Sequence, residues 1–171
     1  MGKLTGKTAL ITGASKGIGE GIARVFAKHG ANLVLAARGS ETQALAQSLC
    51  ESGAKAIAVK MDVSDMASVQ VGYKAAVQAF GGVDILVSNA GICRLGDFLT
   101  QSDADRDAHL DINVKGAWNT CKAVVPHMLK QGGGNIVIAS SVTGDIVADA
   151  GEAAYAMTKA ALVGLTKCLA V

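Results

Sequence analysis

The feature that most constrains the fold is an alternation of short, uninterrupted apolar runs with longer segments of helical periodicity. Thr8-Ala9-Leu10-Ile11-Thr12 ends at Gly13 and reads as a strand buried on both faces. Ile18, Ile22, Val25 and Phe26 then recur at i, i+4, i+7 and i+8, the spacing of one helix face. His29-Gly30 closes that helix with a charged last turn and a glycine cap. The pattern repeats with a strand over Asn32 to Ala36, a helix over 41–52 and a strand over Ala56 to Lys60. Val69, Tyr73, Ala76, Val77 and Phe80 mark the next helix, and Asp84 to Ser88 a fourth strand. A long helix opens near Ser102, its first-turn Asp103 and Asp105 favouring the positive helix end. Leu110, Val114, Trp118, Cys121, Val125 and Met128 form its expected buried face. Gly132-Gly133-Gly134 breaks it, Asn135 to Ala139 is a fifth strand, and a last helix runs from about Ala153.

Continuous apolar strands alternating with helices predict an α/β fold, a doubly wound parallel sheet with right-handed crossovers and helices on both faces. There is no linker, repeat or charge block, so residues 1–171 read as a single domain. Half of the residues are hydrophobic, which supplies a core. Sixteen Lys and Arg against fourteen Asp and Glu leave a charge of only +2, which argues against a nucleic-acid surface or a polybasic membrane tether. Cys50, Cys93, Cys121 and Cys168 lie far apart, so no metal site is expected and the thiols read as free and mostly buried. No signal peptide, myristoylation pattern or membrane-length run is found, and the expected compartment is the cytoplasm.

Two places carry chemistry. Thr12-Gly13-Ala14-Ser15-Lys16-Gly17-Ile18-Gly19 lies at the first strand-to-helix junction, where glycines let backbone approach a pyrophosphate and the helix offers free N–H groups. The spacing is GxxxGxG, which also suits a plain tight turn. The second strand ends Ala36-Ala37-Arg38 with no carboxylate for a ribose 2′-hydroxyl. Arg38 and Lys16 can flank a 2′-phosphate instead, which favours NADP, with NAD the alternative. In the last helix, Tyr155 and Lys159 are four apart and share a face. A phenol is a poor acid or base near neutrality, and a neighbouring ammonium favours its phenolate. Such a pair can exchange a proton with an alcohol or carbonyl oxygen.

Together, TGASKGIG (12–19), Asp62-Val63, Asn89-Ala90-Gly91, Asn113, Ser140-Ser141 and YAMTK (155–159) resemble the short-chain dehydrogenase/reductase family, in order and rough spacing along the whole chain. The resemblance implies a Rossmann-type oxidoreductase. Gly13, Gly17 and Gly19 would hold the pyrophosphate, with Ser15, Lys16 and Ile18 on the same loop beside the cofactor. Asp62 with Val63 would contact the adenine, and Asn89 the adenosine side of the pocket. Tyr155 would be the acid/base. Lys159 would favour its phenolate and hold the nicotinamide ribose. Ser141 would bond the substrate oxygen, and Asn113 would position a water linking Lys159 to solvent. Read as residues alone, Asp62 also suits a cap on the following helix, Asn89 a turn, and Asn113 an ordinary helix-to-backbone bond. Ser141 is preferred because it precedes Val142-Thr143-Gly144, yet the segment to Tyr155 is one residue longer than the family's commonest spacing, which leaves Ser140 open. Ser88 departs from the commoner Asn-Asn-Ala-Gly pattern. His29, His109 and His127 are expected on helices without a catalytic duty.

The last helix pattern is still running at Val171, whereas the resemblance implies two more strands, a Pro-Gly segment and a lid. The expectation is therefore a domain incomplete at its C-terminal side, with the fifth strand an exposed apolar edge. The last helix carries Ala161, Leu162, Leu165 and Leu169 on one side and Met157, Gly164, Cys168 and Val171 on the other. Apolar residues on two sides predict burial against the sheet and against a partner subunit. The resemblance implies a homodimer or homotetramer packed through this helix and the long one before it. A second reading is a cofactor-binding protein without turnover. The resemblance implies a small carbonyl or alcohol substrate. Ile92 to Asp97 and Gly144 to Glu152 are expected to line its pocket, and neither segment names a ligand.

Overall fold

The computed structural model describes residues 2–171. Five strands, β1 (Thr8–Thr12), β2 (Asn32–Ala37), β3 (Lys55–Lys60), β4 (Ile85–Ser88) and β5 (Asn135–Ile138), form one sheet in the order β3-β2-β1-β4-β5. Every pairing is parallel. The intervening helices are α1 (Gly17–Lys28), α2 (Glu41–Glu51), α3 (Met66–Phe80), α4 (Asp103–His109), α5 (Gly116–Lys130) and α6 (Ala153–Leu169).

The strand alternation sorts side chains into two cores. Leu10, Val34 and Leu86 point to one face and meet Val69 and Ala76 of α3 and Cys121, Val124 and Met128 of α5. Ala9, Ile11, Leu33, Leu35 and Val87 point to the other and meet Ala23 of α1 and Leu45 and Leu49 of α2. Central β1 is buried at every position, which is why its run is apolar without interruption. The architecture is the doubly wound, Rossmann-type fold expected.

The two sheet edges differ. β3 is flanked by the exposed lysines Lys55 and Lys60, which discourage a further strand. β5 presents Val137 at 54% exposure, so the expected apolar edge is present.

Three expectations need correction. The long helix is not continuous: a π-helical segment, Leu110–Lys115, separates α4 from α5. The wider turn shifts the buried stripe to His109, Asn113, Gly116, Ala117, Thr120, Cys121, Val124 and Met128. Trp118, assigned to the buried face, is 57% exposed, and Leu110, Val114 and Val125 are only half-buried. α6 is also less buried than its composition suggests. Its covered residues are Ala154, Thr158, Lys159 and Leu162, facing α4 and the π segment. Of the two apolar stripes predicted there, only Leu162 is buried, because the covered seam is chosen by the polar groups Thr158 and Lys159. Finally, only Cys121 of the four free thiols is buried, and burial pushes it up to about 11. Cys50, Cys93 and Cys168 are exposed because they fall off the core-facing positions of their segments.

Candidate active site

The sheet order reverses between β1 and β4, and the crevice at their carboxyl ends is where such folds take ligands. A cleft of about 700 Å³ lies there. Gly13, Ser15, Lys16, Ile18, Arg38, Asp62, Val63 and Asn89, eight of the predicted cofactor residues, line it.

The floor is built around Thr12, which is fully buried. Its hydroxyl accepts the N–H groups of Asn89 and Ala90, each at 3.0 Å, joining the end of β1 to the end of β4. The Asn89 side-chain amide donates back to Thr12 O at 3.0 Å and Gly13 O at 3.4 Å. Asn89 therefore buttresses the glycine loop as well as lining the cleft. Gly13 and Gly17 have φ of +66° and +60°, which side chains resist. A Cβ on Gly13 would come within 2.9 Å of Ala90 Cα, and one on Gly19 would collide with Gly13 O and meet Asn89 Nδ2 at 2.8 Å. The loop is thus packed so that only bare backbone fits. α1 begins at Gly17 without a side-chain cap, so its first-turn N–H groups stay open toward an anion.

Beyond the ends of β2 and β3, exposed Arg38 lines the cleft with Asp62. The Ser64 hydroxyl and N–H, at 2.7 and 3.0 Å, hold the Asp62 carboxyl below its usual range against the opposing cost of burial, and the Arg38 guanidinium adds to this. The α3 cap is Asp65, not Asp62, and accepts from Ala67 N and Ser68 N at 3.0 and 3.3 Å. A carboxylate that the strand-end reading did not foresee, Glu41 in the first turn of α2, lines the same region and lies over Gly39.

Gly17, Gly19, Asn113, Ser141, Tyr155 and Lys159 are not part of the lining. Asn113 and Lys159 approach Gly91, which lies on the lining, and Tyr155 stands beside Lys159. A Cβ on Gly91 would lie 3.2 Å from Asn113 Oδ1 and 3.6 Å from Lys159 Nζ. Lys159 Nζ sits 5.5 Å from the centre of the Tyr155 ring and donates to Ala139 O at 2.6 Å. Burial lowers the pKa of Lys159. The Ser140 hydroxyl is committed to Lys159 O at 2.8 Å, which ties α6 to the end of β5. Among the described residues the Ser141 hydroxyl accepts from Thr143 N at 3.2 Å and its proton is not donated. Asn113, buried in the π segment, accepts from Ile92 N at 2.8 Å and donates to Ile92 O at 2.9 Å and Thr158 Oγ1 at 3.0 Å. Both amide hydrogens are used, and one Oδ1 lone pair remains toward Gly91. Asn113→Ala leaves both polar groups of Ile92 without these partners. We expect a loss of about 3 kcal/mol, read as a lower denaturant midpoint at unchanged slope; a loss below about 1 kcal/mol would mean that solvent replaces the amide.

The sequence gives no separate role to the Thr12 hydroxyl or to Glu152, and places His109 only on a helix without a catalytic duty. Glu152 faces the Cys93 thiol at 3.9 Å. Local desolvation first, and then this carboxylate, push the Cys93 thiol up although the residue is exposed. Threonine, histidine and glutamate on helices or at strand ends carry no spacing signal, so only the tertiary contacts reveal them.

A glycine-rich turn at a switch-point crevice, with Gly91 of its wall packed near Lys159, marks an α/β protein of the doubly wound class. The family model of the short chain dehydrogenases matches residues 7–171, and the chain belongs to that family. It is 63% identical over 171 residues to Oxidoreductase UcpA of Salmonella typhimurium, covering 100% of this chain. The chain spans 65% of the length of that relative. A short chain dehydrogenase/reductase from Burkholderia phymatum, solved in complex with NAD, superposes with a TM-score of 0.94 at 35% identity, over 99% of this chain and 60% of that one. A short chain dehydrogenase from Burkholderia cenocepacia, solved in complex with NADP, gives 0.90 at 38% identity, over 98% and 69%. Among the described residues no helix is long and apolar enough to cross a membrane.

Proposed function

We propose that residues 1–171 are the dinucleotide-binding domain of an NADP-dependent oxidoreductase that interconverts a small carbonyl and an alcohol, with Tyr155 as acid/base. The observation that carries the reading is the link at Gly91, where the cleft that begins at the glycine loop meets Lys159 beside Tyr155. A dinucleotide fits the residues present, because Gly13 and Gly19 admit backbone approach and the α1 N-terminus leaves donors for phosphate. Gly13, Ser15, Lys16, Gly17, Ile18 and Gly19 would hold the phosphates. Asp62, Val63 and Asn89 would take the adenosine end, and Arg38 with Lys16 a 2′-phosphate. When bound, the nicotinamide supplies the hydride. Tyr155 gives a proton to the carbonyl oxygen, or takes it from the alcohol. Lys159 favours the phenolate and holds the ribose, and Ser141 donates to the substrate oxygen. Asn113, through its remaining lone pair, positions a water toward Lys159.

The natural protein that carries this chain should oxidise NADPH with a panel of ketones and aldehydes. Absence of turnover with every carbonyl would remove the reading. The Arg38→Asp exchange should move the coenzyme preference from NADPH toward NADH by at least about tenfold, since a charge-assisted phosphate contact is worth about 1.5–3 kcal/mol. An unchanged ratio would mean that Arg38 is a surface charge and that Glu41 decides the pocket.

Tyr155 and Ser141 stand outside the cleft lining, which also supports a cofactor-binding protein without turnover. Calorimetric affinity for NADPH with no activity on any carbonyl would favour that second reading. We take the cytoplasm as the compartment, because exposed thiols at Cys50, Cys93 and Cys168 persist in a reducing space. We also propose a homo-oligomer through α5 and α6, whose Trp118, Leu129 and Met157 are exposed at 57%, 76% and 47%. Light scattering should give a mass at least twice that of one chain, and Trp118→Asp should reduce it; a monomeric parent would exclude this.

A further inference from the structure

The wall of the cleft nearest Lys159 is the segment Ile92-Cys93-Arg94, which has neither helix nor strand to hold it. Its backbone is held instead by two side chains one helical turn apart. Asn113 takes both polar groups of Ile92. His109, four residues earlier and fully buried, accepts the Arg94 N–H at its Nε2 at 3.0 Å. The other ring nitrogen, Nδ1, lies 2.7 Å from Asp105 O. A carbonyl can only accept and a backbone N–H can only donate, so both bonds exist together only in the neutral ring with its proton on Nδ1. The rest of Arg94 is tied to the same stretch of chain. Its guanidinium pairs with Asp105 at 2.6 Å, and its carbonyl accepts from Gln101 Nε2 at 3.2 Å. Cys93, between the two clamped residues, is the one whose side chain faces Glu152 and lies near Lys159.

We propose that His109 is a positioning residue of the active site. With Asn113 it forms a two-point clamp that fixes Ile92–Arg94 as the wall of the reacting end and aims Cys93 at the Glu152–Lys159 corner. The clamp explains why a histidine occupies a fully buried helix position where an apolar residue would pack more cheaply. An apolar replacement leaves the Arg94 N–H without its acceptor and frees one end of the wall. The effect on catalysis rests on the oxidoreductase reading above, whereas the clamp itself does not.

The test uses the three exposed cysteines as internal reporters. Alkylation by iodoacetamide is followed residue by residue by mass spectrometry in the parent chain, His109→Leu and His109→Gln. A lost hydrogen bond makes local opening roughly threefold to tenfold more frequent. The Cys93 rate should rise by that factor in His109→Leu, while Cys50 and Cys168 stay constant. Gln restores an acceptor, so His109→Gln should return Cys93 toward the parent rate. Carbonyl turnover in the natural protein should fall about tenfold in His109→Leu through lost positioning and recover in His109→Gln. In the unaltered chain, a through-hydrogen-bond scalar coupling should join the Arg94 amide nitrogen to His109 Nε2, a readout that needs no variant to fold. Equal acceleration of all three thiols, no change at Cys93, or absence of the coupling would overturn the proposal. A selective, Gln-rescued change at Cys93 in a protein that turns over no carbonyl would keep the clamp and remove the oxidoreductase reading.

Discussion

Replacing Tyr155 by Phe should lower turnover by about 10² to 10⁴-fold, the range for losing a positioned general acid, and leave cofactor affinity within about twofold of the parent. The substitution removes one oxygen and keeps the ring. Lys159 Nζ lies 5.5 Å from the centre of that ring, so the cation–ring contact and the shape of the corner persist. Lys159 also keeps its bond to Ala139 O, and Ser140 keeps its hold on Lys159 O, so the seam between α6 and the end of β5 is undisturbed. Only the phenol hydroxyl, the proposed proton donor, is lost. The measurement is kcat for carbonyl reduction in the natural protein that carries this chain, beside NADPH affinity by calorimetry. Normal turnover by the Phe variant would end the acid/base assignment. Loss of binding together with turnover would mean that the hydroxyl serves the cofactor rather than the substrate.

The second large effect is expected at Gly19. Its Cβ would collide with Gly13 O and stand 2.8 Å from Asn89 Nδ2 and 2.9 Å from Gly13 C. These are atoms of the cradle itself, and backbone cannot step aside as the tip of a flexible side chain can. Gly19→Ala should therefore cost about 1–3 kcal/mol of stability from overpacking. It should also weaken NADPH binding by about 10- to 100-fold, as charge-assisted donors to the phosphates move out of reach. Gly21 is the internal control. It lies two residues further along the same helix, and a methyl group there would meet nothing within 4 Å. Gly21→Ala should stabilise α1 by about 0.5–1 kcal/mol through helix propensity and leave binding alone. Thermal melting and a binding titration on both variants check the contrast. Equal behaviour at the two sites would show that the close approach of α1 to the β1 end does not govern the cradle.

Much of the frame is legible in the sequence because burial on both faces forces an unmistakable pattern. The five strands lie within a residue of their expected bounds, since an apolar run ending in glycine or a charge has few other readings. The glycine loop is legible for a related reason. A bare backbone is demanded at Gly13 by φ and at Gly19 by contact, and no other residue meets either demand. The segment from Ser102 to Lys130 reads as one helix in the sequence because helical periodicity assumes a constant turn. The π segment breaks that assumption with no glycine or proline inside it, and Gly116 stands only at its C-terminal end. The apolar residues of α6 mislead for the opposite reason, since composition cannot say which side of a helix finds a neighbour. The choice between Ser140 and Ser141 stays open in the sequence. It turns on where one hydroxyl points, and Ser140 points to the α6 backbone.

The amino-acid sequence by itself determined the layered α/β frame, the glycine cradle and the presence of a Tyr–Lys pair. Each follows from short-range rules: the period of burial, the sterics of a missing Cβ, the four-residue repeat of a helix. Only the tertiary structure decided that Gly91 on the cleft wall packs near Asn113 and Lys159, that Asn113 and His109 grip the segment Ile92–Arg94, and that Trp118 faces outward. Those outcomes depend on contacts between residues distant in the chain, such as His109 with Arg94 and Asn113 with Thr158. Hydrogen-bond partners across a fold leave no periodic trace, because one donor and one acceptor can satisfy each other at any sequence separation.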